Sequence, residues 1–250
     1  MQRATQWIVD HTERFSLIIA TEHYAQYMGG EEFSRAARRL LVSDFGLVRV
    51  NDELAGFREV HEVDGRPVKD GQDRLRTLLE SGNVPMAELR RIVAESARCN
   101  LGSVVRTFNV PTMALYLLMP KNVVRFKYRK DGEDAMDGHR VWPVRYEETQ
   151  KPTIIRTSSR KDMPLQGSFW VDVTSGQVLK THMEMLVDAA MSELGKGGPV
   201  RSSASITVTY RQDENLGMPV PDRMLETYEA PSVNRFTNNM EWTTINCSAT

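Results

Sequence analysis

The chain has 250 residues, a formal net charge of −1, 40% hydrophobic and 26% charged residues, and two cysteines. A near-zero net charge excludes a whole-chain field that would gather nucleic acid or an anionic membrane. Two cysteines without Cys-x-x-Cys spacing exclude a disulfide scaffold, and no apolar run reaches the roughly 18 residues of a membrane-spanning helix.

The length admits one large domain, and a single unit over 1–250 is the expectation. The opening Met1–Trp7 lacks the basic-then-apolar pattern of a secretory leader. The chain is therefore expected in the cytoplasm or, where a leader has been removed, in the periplasm or cell envelope.

Residues 4–14 read as a short amphipathic helix with Trp7, Ile8 and His11 on one stripe. Phe15 to Tyr27 reads as a long strand broken by Gly29-Gly30, and Arg39 to Val50 as a second. A third strand lies around Phe57 to Val63, and Asp64-Gly65-Arg66-Pro67 signals a hairpin turn. The arginines from Arg35 to Arg39 read as a solvated face.

Helical spacing follows. Leu75, Leu78 and Leu79 share a stripe, as do Leu89, Ile92, Val93 and Ala97, with Asn100-Leu101-Gly102 ending the second helix. Pro111 to Met119 reads as a third helix, opened by Pro111 and stopped by Pro120. Glu95, Arg98, Arg106 and Asn109 fit a structural polar network near it better than a ligand site.

Beyond this the pattern is β. Val124, Phe126 and Tyr128 alternate with Arg125, Lys127 and Arg129, and Trp142, Val144 and Tyr146 form a returning face. Lys130 to Asp137 reads as a polar loop, its acidic residues in the wrong register for an EF-hand. Pro152 to Arg156 is a short extended segment. Leu179, Thr181, Met183 and Met185 oppose Lys180, His182 and Glu184, and Ile206, Val208 and Tyr210 oppose Ser205, Thr207 and Thr209. The turn Asp172 to Gly176 joins the first pair of strands of this meander, Val187 to Arg201 reads as a loop, and Phe236 to Asn246 as a last strand.

The fold class is thus α+β: a strongly curved antiparallel sheet of about eight to eleven strands, an incomplete β-barrel, with two or three helices on the concave face. The helices between Asp73 and Met119 are expected to cover that face. No Walker loop, Gly-x-Gly-x-x-Gly, His-Glu-x-x-His or Gly-x-Ser-x-Gly occurs, and the five histidines have no ligand spacing. No catalytic residue, metal ligand or cofactor is expected, so the chain is not read as an enzyme.

Gly167-Ser-Phe-Trp-Val-Asp172, Gly176-Gln-Val-Leu-Lys180, Ile206-Thr-Val-Thr-Tyr210 and Leu216-Gly-Met-Pro-Val-Pro-Asp-Arg-Met224 resemble proteins of the periplasmic lipoprotein-carrier superfamily. Phe57-Arg-Glu-Val60, Glu95 to Gly102, Arg106 to Thr112 and Pro152 to Arg156 are similar to uncharacterised bacterial envelope proteins of that fold. The resemblance implies a non-enzymatic envelope protein that binds a hydrophobic ligand, a lipid or a lipoprotein acyl chain, in the cleft of a half-barrel. The candidate lining is Phe126, Tyr128, Trp142, Trp170, Met183, Met185 and Tyr210, with Arg106 or Arg156 at the rim for a head group. Partners would be a hydrophobic ligand or lipidated protein and an envelope protein, with no nucleic acid. The alternative is an envelope sensor or interaction module with a filled core and no ligand.

Overall fold

The computed structural model describes residues 1–14, 17–29, 37–50, 53–68, 73–81, 85–101, 110–156, 160–188, 201–230 and 233–247. In chain order, α1 (Gln2–Arg14) precedes the strands β1 (Leu17–Gly29), β2 (Ala37–Val50), β3 (Glu53–Val63) and β4 (Arg66–Pro67). Four helices follow: α2 (Arg74–Glu80), α3 (Met86–Ala97), α4 (Met113–Tyr116) and α5 (Pro120–Val123). Next come β5 (Phe126–Lys130), β6 (Asp134–Met136), β7 (His139–Glu148), β8 (Ile155–Arg156) and β9 (Asp162–Met163). The chain ends with β10 (Leu165–Asp172), β11 (Val178–Asp188), β12 (Arg201–Asp213), β13 (Met218–Ala230) and β14 (Val233–Cys247).

Two antiparallel meanders fuse into one open, curved sheet in the order β4-β3-β2-β1-β14-β13-β12-β11-β10-β7-β5, with β6 also on β7. The fusion is the pairing of β1 with β14, from Ile18↔Cys247 to Gly29↔Arg235. β8 and β9 form a separate small ribbon. It is held by the buried Glu148 carboxylate, which accepts the backbone N–H groups of Ile154 and Leu165.

Strand periodicity divides the apolar side chains between two faces. Ile18, Ala20 and Tyr24 of β1 join Leu41, Phe45, Phe169, Met183, Ile206 and Val208 in the larger core, on the inner face of the curve. Ile19, one residue from Ile18, points the other way, into a smaller core with Phe57, Leu75, Leu79, Leu89 and Ile92. This second core corrects one expectation. Two helices do cover the inner face, but they are α1 and α4 with the turns after α4, while α2 and α3 lie on the outer face. Ala4 and Ile8 of α1, and Ala114, Leu115, Leu117 and Leu118 around α4, enter the larger core.

Local chemistry explains the division. Gly46 faces the outer side, where a Cβ would meet the Leu79 side chain, so β2 lets α2 approach closely. No side chain caps α2 from Asp73; instead Glu59 on β3 accepts the Leu75 N–H at 2.7 Å and the Arg74 Nε–H at 2.8 Å. Arg74 reaches Glu95 of α3 at 2.9 Å and ties the two outer helices together.

Several boundaries differ from the sequence expectations. Pro120 opens α5 at its first position rather than ending a long helix, because a helix N-terminus has no use for the N–H that proline lacks. Val124 therefore lies outside β5 and is 68% exposed. The polar stretch before Asp137 contains β6, turned onto β7 through Asp137 and Gly138, whose φ values are 49° and 80°. The Asp64-Gly65 hairpin turn has the same form, with φ of 50° and 77°. Arg39 donates to the carbonyls of Cys99 and Asn100 instead of standing in water. Arg35, Gly102, Arg106, Asn109 and 189–200 lie outside the described residues.

Candidate ligand site

The core-facing row Tyr128 (β5), Tyr146 (β7), Gly167 (β10), Met183 (β11) and Ile206 (β12) is set by strand register. Gly167 leaves room for its neighbour: a Cβ there would meet the Tyr146 hydroxyl at 2.7 Å and the His182 backbone. Tyr146 therefore lies across the sheet, stacks on Phe169 with ring centroids 4.5 Å apart, and donates to the His182 carbonyl at 3.1 Å. Phe126 meets Tyr146 edge-on at 5.6 Å and Tyr128 at 6.2 Å. Aromatic pairs at such spacings contribute about 0.5–1.5 kcal/mol beyond their burial.

Beside this aromatic row is an open cavity of about 780 Å³ that spans β5, β7, β10 and β11. Eight of its eleven lining residues, Lys127, Arg145 and Glu184 among them, belong to the two outward rows, so the cavity opens on the outer face, with Tyr128, Tyr146 and Gly167 of the core-facing row beneath it. The volume lies within the roughly 300–1,000 Å³ of small-ligand sites.

The polar lining is largely paired. Arg129 and Arg145 both reach Asp131. His182 contacts Thr207 Oγ1 at 2.9 Å through Nδ1 and Glu184 Oε1 at 3.0 Å through Nε2, and Gln166 donates to the other Glu184 oxygen at 2.8 Å. His182 and then Gln166 hold the Glu184 carboxyl below its ordinary range, against an opposing effect of burial. A histidine bonded to a carboxylate in a cavity is the arrangement that would suggest catalysis. Here Ser168 is the register partner of His182, yet both ring nitrogens are already engaged and neither is left to take its proton.

Tyr128 is different. Its hydroxyl is buried and has no hydrogen-bond partner among the described residues. Burial pushes its pKa well up, keeping it a neutral donor.

The candidate lining residues divide. Phe126, Met183, Met185 and Tyr210 are buried in the larger core, with Tyr128 packed against it. Trp142 packs at its margin, under Lys130 at 4.1 Å and bonded to Glu133. Trp170 lies one residue from the buried Phe169, pairs in register with Lys180, and has that ammonium 4.5 Å over its ring. Arg156 is exposed on β8, away from the cavity lining. Sequence reasoning missed Tyr146 and Gly167 as site residues; the Gly167 signal, a lone glycine inside a strand pattern, marks a close approach.

Two polar clusters lie elsewhere. On the inner face of β1 to β3, Arg58 forms a two-pronged pair with Glu22, at 2.6 Å through one nitrogen, and Ser43 donates to Glu22 at 2.8 Å. Burial alone would lower the Arg58 pKa, but Glu22 outweighs it and raises it. On the outer face, Asp44, His61 and Asp73 bring their ligand atoms within 4.8 Å of one another. Arg76 already contacts both Asp44 oxygens at 3.2 Å, in the place a metal cation would take.

Among solved structures, the chain is similar to a LolA superfamily protein from Nitrosomonas europaea, with 8% identity, TM-score 0.38, and 98% and 94% of the two chains covered. It is similar to a DUF1329 family protein from Desulfovibrio piger, with 11% identity, TM-score 0.40, and 98% and 92% covered. It also matches the Pseudomonas aeruginosa MucA/MucB complex structure, with 11% identity, TM-score 0.23 and 99% of each chain covered. No protein-family model matches the chain, and neither does any curated protein.

Proposed function

We propose that this protein binds an amphiphile, a lipid or a lipoprotein acyl chain, in the cell envelope, and that it does so without catalysis. The observation that most directly supports this reading is the apolar inner face of the open sheet, covered by short helices and turns rather than by further strands. On that face Tyr128, Tyr146, Phe126 and Phe169 form an apolar wall for a chain. Each methylene withdrawn from water onto such a wall contributes about 0.8 kcal/mol.

This inner face is covered by the short segment around α4. Leu115, Leu117 and Leu118 are buried there, and the Tyr210 hydroxyl donates to the Pro111 carbonyl at 2.7 Å. An entering acyl chain would displace these leucines from Met183 and its neighbours. The filled core also favours a second reading, a protein-interaction module that holds no ligand. Titrating a fluorescent fatty acid against the purified protein separates the two. Saturable binding, competed by unlabelled phospholipid, is expected. Its absence across the accessible protein concentrations would leave the interaction module.

A further inference from the structure

We infer that β5 is an interaction edge: an extended peptide segment of alternating acidic and apolar residues adds to it as a further strand. Such docking is independent of any ligand on the inner face, since it uses the rim of the sheet and its outer side. β5 ends the sheet order and pairs with β7 on one side only. The Arg125 carbonyl accepts the Thr149 N–H at 2.9 Å, and the Asp131 N–H donates to the Pro143 carbonyl at 2.8 Å. Lys127 and Arg129, in step with these two, turn their backbone groups toward β7, and the alternate residues turn theirs away. The N–H and carbonyl groups of Phe126, Tyr128 and Lys130 therefore face outward, where no described strand meets them.

The opposite end of the sheet is partly covered. There the Val60 N–H of β3 donates to Ser96 Oγ of α3 at 3.2 Å, and β4 pairs with Glu62 and Val63. An uncovered edge is a template for main-chain pairing with another chain, and the side chains beside it decide which chain fits.

On β5 those side chains alternate. Lys127 and Arg129 are exposed on the outer face, and Phe126 and Tyr128 pack toward the larger core. A strand laid alongside alternates in step, one set of its side chains beside the cations and the other beside the aromatic rings. The cations have room for acids. Asp131 is shared by Arg129 and Arg145, and Lys127 forms no ion pair among the described residues, not even with its register partner Glu147. Lys127 and Arg129 also line the outer cavity, so carboxylates of an added strand would reach it from the edge of the sheet. A second copy of β5 fits poorly, because like charges set opposite one another across a strand pair repel.

The test uses three dye-labelled synthetic peptides: one alternating glutamate and valine, one with lysine in place of glutamate, and the acidic sequence with every peptide nitrogen methylated. Each is titrated against the purified protein, and amide hydrogen exchange of the protein is followed with and without it. Only the unmethylated acidic peptide should bind saturably, slowing exchange at Tyr128 and Lys130 by at least about tenfold. Lys127 and Arg129, already bonded to β7, should change little. Lys127→Glu should weaken the acidic peptide by at least about tenfold, with a melting temperature close to that of the wild type. Lys127→Ala, which places no new carboxylate beside Glu147, should weaken it in the same direction. Equal binding of the lysine peptide overturns the acidic partner, and equal binding of the methylated peptide overturns strand addition. Slow exchange at Tyr128 and Lys130 in the free protein would show an edge already covered. Protection there that grows with protein concentration alone would assign the edge to a second copy. No saturable binding up to about 1 mM acidic peptide would remove the site altogether.

Discussion

On β1 to β3 the inner face of the sheet sets Glu22, Ser43, Gln26 and Arg58, all hydrogen-bonded, among apolar Tyr24, Leu41 and Phe45, whereas on β7 and β10 to β12 it carries Val144, Phe169, Met183, Ile206 and Val208. The two halves use different physics on one continuous surface. Directional bonds fix the first half in a single arrangement, since a carboxylate and a guanidinium out of water tolerate no other neighbours. Contacts in the second half are apolar and interchangeable: a leucine side chain and an acyl chain offer Met183 the same kind of surface. The first half is suited to hold the curve of the sheet, the second to exchange what covers it.

The strongest way to break this contrast is Arg58→Ala. It strands the fully buried Glu22 and should lower stability by about 3–5 kcal/mol. The double change Glu22→Gln with Arg58→Met should recover most of that loss, measured by urea unfolding midpoints of the single and double variants. Leu117→Ala probes the other half. It opens a void under the covering segment and should cost about 2–5 kcal/mol. If that cover is exchangeable, the same variant should bind a fluorescent fatty acid more tightly than the wild type, an outcome Arg58→Ala should not produce.

Gly167→Ala should lower stability by about 1–3 kcal/mol, because its Cβ meets the His182 backbone as well as the Tyr146 hydroxyl. The smallest effect is one of pH. Burial would raise the Asp172 pKa, but the N–H and hydroxyl of Ser175, with His139 and Thr174, bring it below its ordinary value. A depressed carboxyl stabilises the fold fully above its unfolded pKa of about 3.9, and that contribution is lost as pH falls through the lower folded value. Thermal melts over about pH 5 to pH 2 should show a shallower acid decline for Asp172→Asn than for the wild type.

The strands were legible wherever one face is wet. Lys180, His182 and Glu184 alternate with Thr181, Met183 and Met185, and the structure buries the second set. What could not be read was which face each helix covers. The leucines of α2 and α3 have the spacing of any half-buried helix, and only tertiary position sends them to the outer side, onto Gly46 and Phe57. The ion pair between Glu22 and Arg58 was hidden for a related reason. Alternation places both on the inner face, but a charge there reads as a register error until its partner, 36 positions away, is known. Of the site, the aromatic members were visible from composition. The missing bond at the Tyr128 hydroxyl was not, because only coordinates show what a buried oxygen lacks.

The pairing of β1 with β14 also has a consequence for synthesis. A ribosome delivers β1 to β4 early, and those strands can form their own meander at once. One side of β1, a strand of 13 residues, then stays without a neighbour until β14 has been made more than 200 positions later. An open strand edge of that length invites pairing with another chain. Placing new termini between β4 and α2, with Thr250 joined to Met1 so that α1 is kept between β14 and β1, would bring the two seam strands close in time as well as in space. Such a permuted chain should refold faster and aggregate less at the same final stability, since contacts between distant positions are what slow the search.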